Sequence, residues 1–170
     1  CTPACDQERV IGGVDASNEE RVPRGVGHSA TVRSLNGVPV VAEQSLSTAG
    51  PAQRTGIADQ LGIRATASRW AFAAGSTSAT VDEWITVQNP DPRAAVRFSV
   101  TVMAQGQAVG VDGVGAVEVP AGGRLAVRLA DHVSRADLPL VVTATGPVVV
   151  VRGIYTSDRP GIAVSAGIPY

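Results

Sequence analysis

Lysine is missing from this chain altogether, and its 170 residues include one methionine, six aromatic residues and two cysteines, both cysteines within the first five positions. Each scarcity narrows the field. Fourteen basic residues, all arginine, face fifteen acidic ones and leave a formal net charge of −1. There is then no cationic field for a phosphate backbone, and nucleic acid is not an expected partner. No apolar run approaches the ~18 residues a membrane-crossing helix needs, so no transmembrane segment is expected. No signal peptide is visible, and the chain reads as cytosolic, as mature, or as an excised fragment. The two histidines, His28 and His132, have no cysteine or second histidine at ligand spacing, so neither a metal nor a cofactor is expected. Cys1 and Cys5 of "CTPAC" can close a small disulfide loop, which would indicate an oxidising compartment, or stand as free thiols at a frayed end.

What is abundant is valine, alanine and glycine, in a chain that is 44% hydrophobic. Side chains alternate with period two, and Gly, Pro, Asn and Asp interrupt the pattern every ~10 residues. In "AAVRFSVTVMA", Val96, Phe98, Val100 and Val102 fall on one face and Arg97, Ser99 and Thr101 on the other, as in a half-buried strand. "GRLAVRLA" places Leu125, Val127 and Leu129 inward, with Arg124 and Arg128 outward. "DEWITVQNPDP" is a strand stopped by Asn89-Pro90-Asp91-Pro92, and "VEVPAGGR" reads as a strand and a hairpin-like turn. "PVVVVRGIY" opens with Pro147, tolerated as a first strand residue, and its valines want cover on both faces. One helical turn is expected around "ADHVSRAD", with Asp131 as its N-cap. The expected fold is all-β, an immunoglobulin-like antiparallel sandwich.

The chain also repeats itself. "NGVPVVAEQSL" (Asn36 to Leu46) matches "TGPVVVVRGIY" (Thr145 to Tyr155) with Pro39 over Pro147 and Leu46 over Ile154, an offset of 108, and "GIADQLGI" from Gly56 matches "GIAVSAGI" from Gly161 at an offset of 105. Two matched segments in one order point to duplication of a unit of ~100 residues, the size of an immunoglobulin-like sandwich. Residues 68–170 are expected to make a complete β-sandwich unit and residues 29–64 the closing strands of a preceding homologous one, behind an extended or partly ordered leader, 1–28. An incomplete first unit leaves strand edges that can recruit a strand from another copy.

In order along the chain stand "RWAFAAG", "EWITVQNP", "AAVRFSV", "VPAGGR" and "PVVVVR". As an ordered set they resemble a family of uncharacterised secreted or envelope-anchored actinobacterial proteins, over most of residues 29–170. The all-arginine composition agrees with a GC-rich genome. The resemblance implies a β-sandwich, an extracellular or cell-envelope location and no known activity. The Glu-Arg pair that follows the valine run in that pattern is divided here between the copies: Glu43-Gln44 in one, Val151-Arg152 in the other. Glu43 and Arg152 are therefore expected to pair between copies.

Sharper motifs fail on their missing partners. "RVIGGVDAS" (Arg9–Ser17) looks like a serine-protease activation site, yet no Gly-Asp-Ser-Gly-Gly stretch carries a nucleophile. "AVSAG" approximates a nucleophile elbow at Ser165, but Gln60 stands there in the first copy. Asp82 and Glu83 are adjacent on a strand, point to opposite faces and read as solvated surface. Trp70 and Phe72 share a face and are expected in the core. Trp84 lies opposite Ile85 and Val87, so with Thr86 and Gln88 it is the candidate sugar-stacking residue; the competing reading buries it at a module junction. The expected function is a non-catalytic structural or adhesive module. Its partners would be other domains of the same polypeptide or other copies of itself. The alternative is a module binding carbohydrate or another cell-wall polymer through Trp84.

Overall fold

Alternation decides which side of each strand is dry, and pairing then fixes how the dry sides meet. The computed structural model describes residues 27–48 and 55–170. Its strands are β1 (Glu43–Thr48), β2 (Gly56–Leu61), β3 (Ala67–Phe72), β4 (Val81–Gln88), β5 (Val96–Ala104) and β6 (Gln107–Gly110). They continue as β7 (Val117–Val119), β8 (Arg124–Arg128), β9 (Leu140–Thr156), β10 (Ile162–Ala166) and β11 (Ile168–Pro169). One 3-10 turn, Leu129–Asp131, is the sole helical element among the described residues. The fold is an all-β antiparallel sandwich, and the leader's protease-like motif and both cysteines lie outside the described residues.

The two layers share one strand. The first half of β9 pairs β3 (Phe72 across from Leu140) and β5 (Phe98 across from Ala144). Its second half pairs β4 (Gln88 across from Val149, Val81 across from Thr156) and β10 (Ala166 across from Val151). β11 extends one layer beside β3, β6 and β7 flank β5, and β8 closes the other layer beside β4. Pro147 falls inside this 17-residue strand, not at its start as the sequence suggested. A residue without an N–H donor fits where the strand leaves one ladder for the next, and the β3 register shifts at that point.

The core forms between the layers from the alternating residues: Trp70 and Phe72 of β3, Ile85 and Val87 of β4, Val96 to Val102 of β5, and Val142, Val148 and Val150 of β9. Burial of each such side chain contributes about 2 kcal/mol. Trp70 spends its one donor on the backbone, with Nε1 3.0 Å from the Ala67 carbonyl and 3.1 Å from that of Val148. The valine run of β9 has the two-sided cover it called for, since Val148 and Val150 are fully buried while Val149 and Val151 are half-buried.

Two local expectations are corrected. "VPAGGR" is an arch between layers instead of a hairpin, because β7 pairs β5 while β8 pairs β4. The arch is tied to the Asn-Pro turn through Asn89. This fully buried side chain has Nδ2 2.8 Å from the Ala94 carbonyl and 3.0 Å from the Pro120 carbonyl, and its Oδ1 accepts the Asp91 amide at 3.1 Å. Asp131 ends the 3-10 turn, accepting from Arg128 at 2.9 Å, and Arg128 holds the N-cap position without a side-chain cap. A three-residue turn is too short to need one.

Candidate functional site

β4 carries both candidate clusters, one on each face. Ile85 and Val87 are fully buried, so Trp84, Thr86 and Gln88 lie on the outer face, each half-buried. Register sets their neighbours. Trp84 lies across from Arg128 on β8 and Gly153 on β9, Thr86 across from Ala126 and Val151, and Gln88 across from Arg124 and Val149. The Tyr155 ring folds back over Gly153, whose missing side chain leaves the space, so two aromatic residues flank one glycine. The polar groups beside them are engaged. Arg128 binds Asp82 at 2.8 Å and Asp131 at 2.9 Å, which raises its pKa above the ordinary arginine value, chiefly through the hydrogen bond to Asp82. Arg124 reaches Thr86 Oγ1 at 3.4 Å, and burial lowers its pKa. The chain at Gly27 comes up against that same guanidinium, so the outer face is covered at its Arg124 end.

On the inner face the reading of Asp82 and Glu83 as solvated surface fails for one of the two. Glu83 is 0% exposed. Its Oε2 accepts the Ser76 amide at 2.7 Å, and its Oε1 lies 3.9 Å from Arg152 Nη1. Arg152 donates to the Ala74 carbonyl and lies over the Phe72 ring at 5.2 Å. Desolvation raises the Glu83 pKa against the opposing pull of the Ser76 amide and Arg152. Glu83 Oε1 and Arg152 Nε are buried without hydrogen-bond partners. Gly75 makes the pocket for this carboxylate, since a Cβ there would overlap both oxygens. The pair ties β4 and β9 to the 74–76 segment, through the Ser76 amide on Glu83 and the Ala74 carbonyl on Arg152.

This arrangement also corrects the expected pairing of Glu43 with Arg152. Arg152 turns into the sandwich toward Glu83, whereas Glu43 is exposed on β1 and makes no ion pair among the described residues. Period two already sets Glu83 on the face of Ile85 and Val87; what the sequence hid is the counter-charge, Arg152, that meets it there. His28 is exposed, and His132 places Nδ1 2.9 Å from the Asp112 carbonyl beside a small cleft bordered by Val102, Val109 and Arg135. Among the described residues, no group of His, Cys, Asp and Glu could hold a metal, and no helix is long and apolar enough to cross a membrane.

The repeated segments form the same substructure twice. β1 pairs β2 with Leu46 across from Ala58, and β9 pairs β10 with Ile154 across from Ala163; these positions correspond through the two offsets. Glu43 across from Leu61 and Ser47 across from Ile57 recur as Val151 across from Ala166 and Tyr155 across from Ile162. Even the bond that closes the hairpin repeats: Gly62 donates to Ala42 at 2.8 Å, and Gly167 donates to Val150 at 3.3 Å. β2 runs alongside β10. Gly56 backs onto Ile162, where a Cβ would lie 3.1 Å from Cγ1, and Gln60 Oε1 accepts the Ala166 amide at 3.1 Å.

No family model matches the chain, and no curated protein does. Among solved structures, Thermotoga maritima 1070 is similar, with a TM-score of 0.53 and 15% identity over 61% of this chain and 95% of that one. The Anabaena sensory rhodopsin transducer is matched with a TM-score of 0.42 and 21% identity, over 52% of this chain and 97% of its own. At that identity the Thermotoga likeness shows the β-sandwich fold alone.

Proposed function

We propose that this chain is a non-catalytic structural module of a secreted or cell-envelope protein, in which duplicated hairpins join neighbouring β units at a fixed spacing. The observation that carries this reading is the β1–β2 hairpin. It has the register of β9–β10 and docks on β10 through Gln60 and Gly56. A hairpin that caps the edge of the next sheet fixes one unit against another and shields an edge that would otherwise aggregate. The resemblance of the ordered motifs to envelope-anchored proteins supports the location. A second reading has its own support: Trp84 and Tyr155 about Gly153, with Thr86 and Gln88 on the same face, form an apolar strip with polar edges, suited to a sugar ring.

Backbone relaxation and amide exchange on the full chain test the spacing role. The hairpin and the 68–170 unit are expected to tumble as one body, and Gln60→Ala is expected to speed exchange of the Ala166 amide about fivefold, as loss of one hydrogen bond predicts. Independent tumbling of the two would remove the proposal. Retention of the chain on an insoluble polysaccharide, lost in Trp84→Ala, would put the binding reading in its place.

A further inference from the structure

The second half of β9 has a strand on either side, β10 and β4, whereas β1, its counterpart, has β2 on one side and nothing on the other among the described residues. The Ala42 carbonyl points into the hairpin toward Gly62, so by alternation the amides of Glu43, Ser45 and Ser47 face the open edge. In β9 the corresponding Val151, Gly153 and Tyr155 turn theirs toward β4. The flanking apolar residues are uncovered to match. Val40 is 57% exposed where its counterpart Val148 is 0%, and Val41 next to it is 88% exposed.

We infer that the open edge of β1 accepts, by strand addition, a β4-type strand from another homologous unit, running antiparallel to β1. This rests on the modular reading above and adds the occupant, its direction and its register. Shifted by the repeat offset, the β4–β9 pairing sets the incoming equivalent of Glu83 across from Leu46, that of Ile85 across from Gln44 and that of Val87 across from Ala42. Backbone hydrogen bonds would supply affinity, and alternate side chains would cover Val40 and its neighbours.

Charge restricts the occupant further. Inside 68–170 the buried Glu83 has Arg152 as its counter-ion, and the residue equivalent to Arg152 on the open hairpin is Gln44. A carboxylate brought to the Glu83 position beside Gln44 would be buried without a cation, which is strongly unfavourable. The occupant is therefore a strand of β4 pattern that is neutral at that position. This chain's own β4, already held between β8 and β9, is excluded.

Fluorescence anisotropy of two labelled peptides against the full chain tests this. One carries residues 79–91 as they stand, and the other carries Glu83→Gln. The Glu83→Gln peptide is expected to bind at least about tenfold more tightly than the parent peptide, a difference of about 1.4 kcal/mol. Ser47→Pro removes one outward amide without touching the β2 ladder, and Val41→Asp charges the exposed strip while leaving the backbone intact. Each is expected to weaken binding at least about tenfold. Failure of both peptides to bind, binding indifferent to both variants, or equal affinity for the two peptides would overturn the inference. If the peptides fail while hairpin and unit still tumble together, strand addition falls and the spacing role stands.

Discussion

Glu83 holds an ionisable group where burial makes ionisation harder than it is in water. Burial raises its pKa above the ordinary 4.5, and the unfolded chain returns it to that value. The native state therefore keeps the proton to higher pH. The stability this confers is complete below about pH 4.5 and declines as pH rises through the raised value. Thermal melts between about pH 4 and about pH 8 should show that decline in the parent chain and its removal in Glu83→Gln, which keeps an acceptor for the Ser76 amide. Parallel curves would mean that the carboxyl ionises as readily folded as unfolded. Residues of this kind are the least legible from sequence. Val96, Phe98, Val100 and Val102 declare their face by alternation alone. Glu83 depends on Arg152, 69 positions away, and Asn89 on Pro120, 31 positions away.

A strand's stability depends less on its sequence than on what lies across it. Val40 and Val148 make this concrete, because they occupy matching positions in two copies of one segment and differ from more than half exposed to fully buried. Chemical denaturation should find Val148→Ala destabilising by about 2 kcal/mol, through lost transfer energy and a cavity. Val40→Ala should change stability by less than about 0.5 kcal/mol. Similar losses at both sites would show that the first segment is packed as tightly as the second. Strand existence and facing were legible because alternation is a local property. Partner choice was not. "VPAGGR" has the composition of a hairpin turn, yet β7 and β8 join different layers, β7 pairing β5 and β8 pairing β4.

Across the whole molecule, burial is uneven: the 68–170 unit contains the core, while the β1–β2 hairpin leaves Ile57 and Leu61 well exposed and one edge open. Local opening should therefore release the hairpin first. Native-state exchange is expected to protect the amides of Val142 and Val150 at least about a hundredfold more than those of Gln44 and Leu46. Comparable protection would mean that hairpin and sandwich unfold together. The duplication was visible in the sequence as two phrases at two offsets. Its register was not, because the offsets of 108 and 105 differ by the difference in length between the two connecting turns.

β9 runs through both layers without interruption, so neither sheet owns its central strand. A chain cut near Gly146 would leave each layer its own half of that strand and sever the continuous backbone that ties the two together. While that strand is whole, the sandwich survives as a pair of sheets or is lost as a pair, and resistance to unfolding is concentrated in one peptide segment.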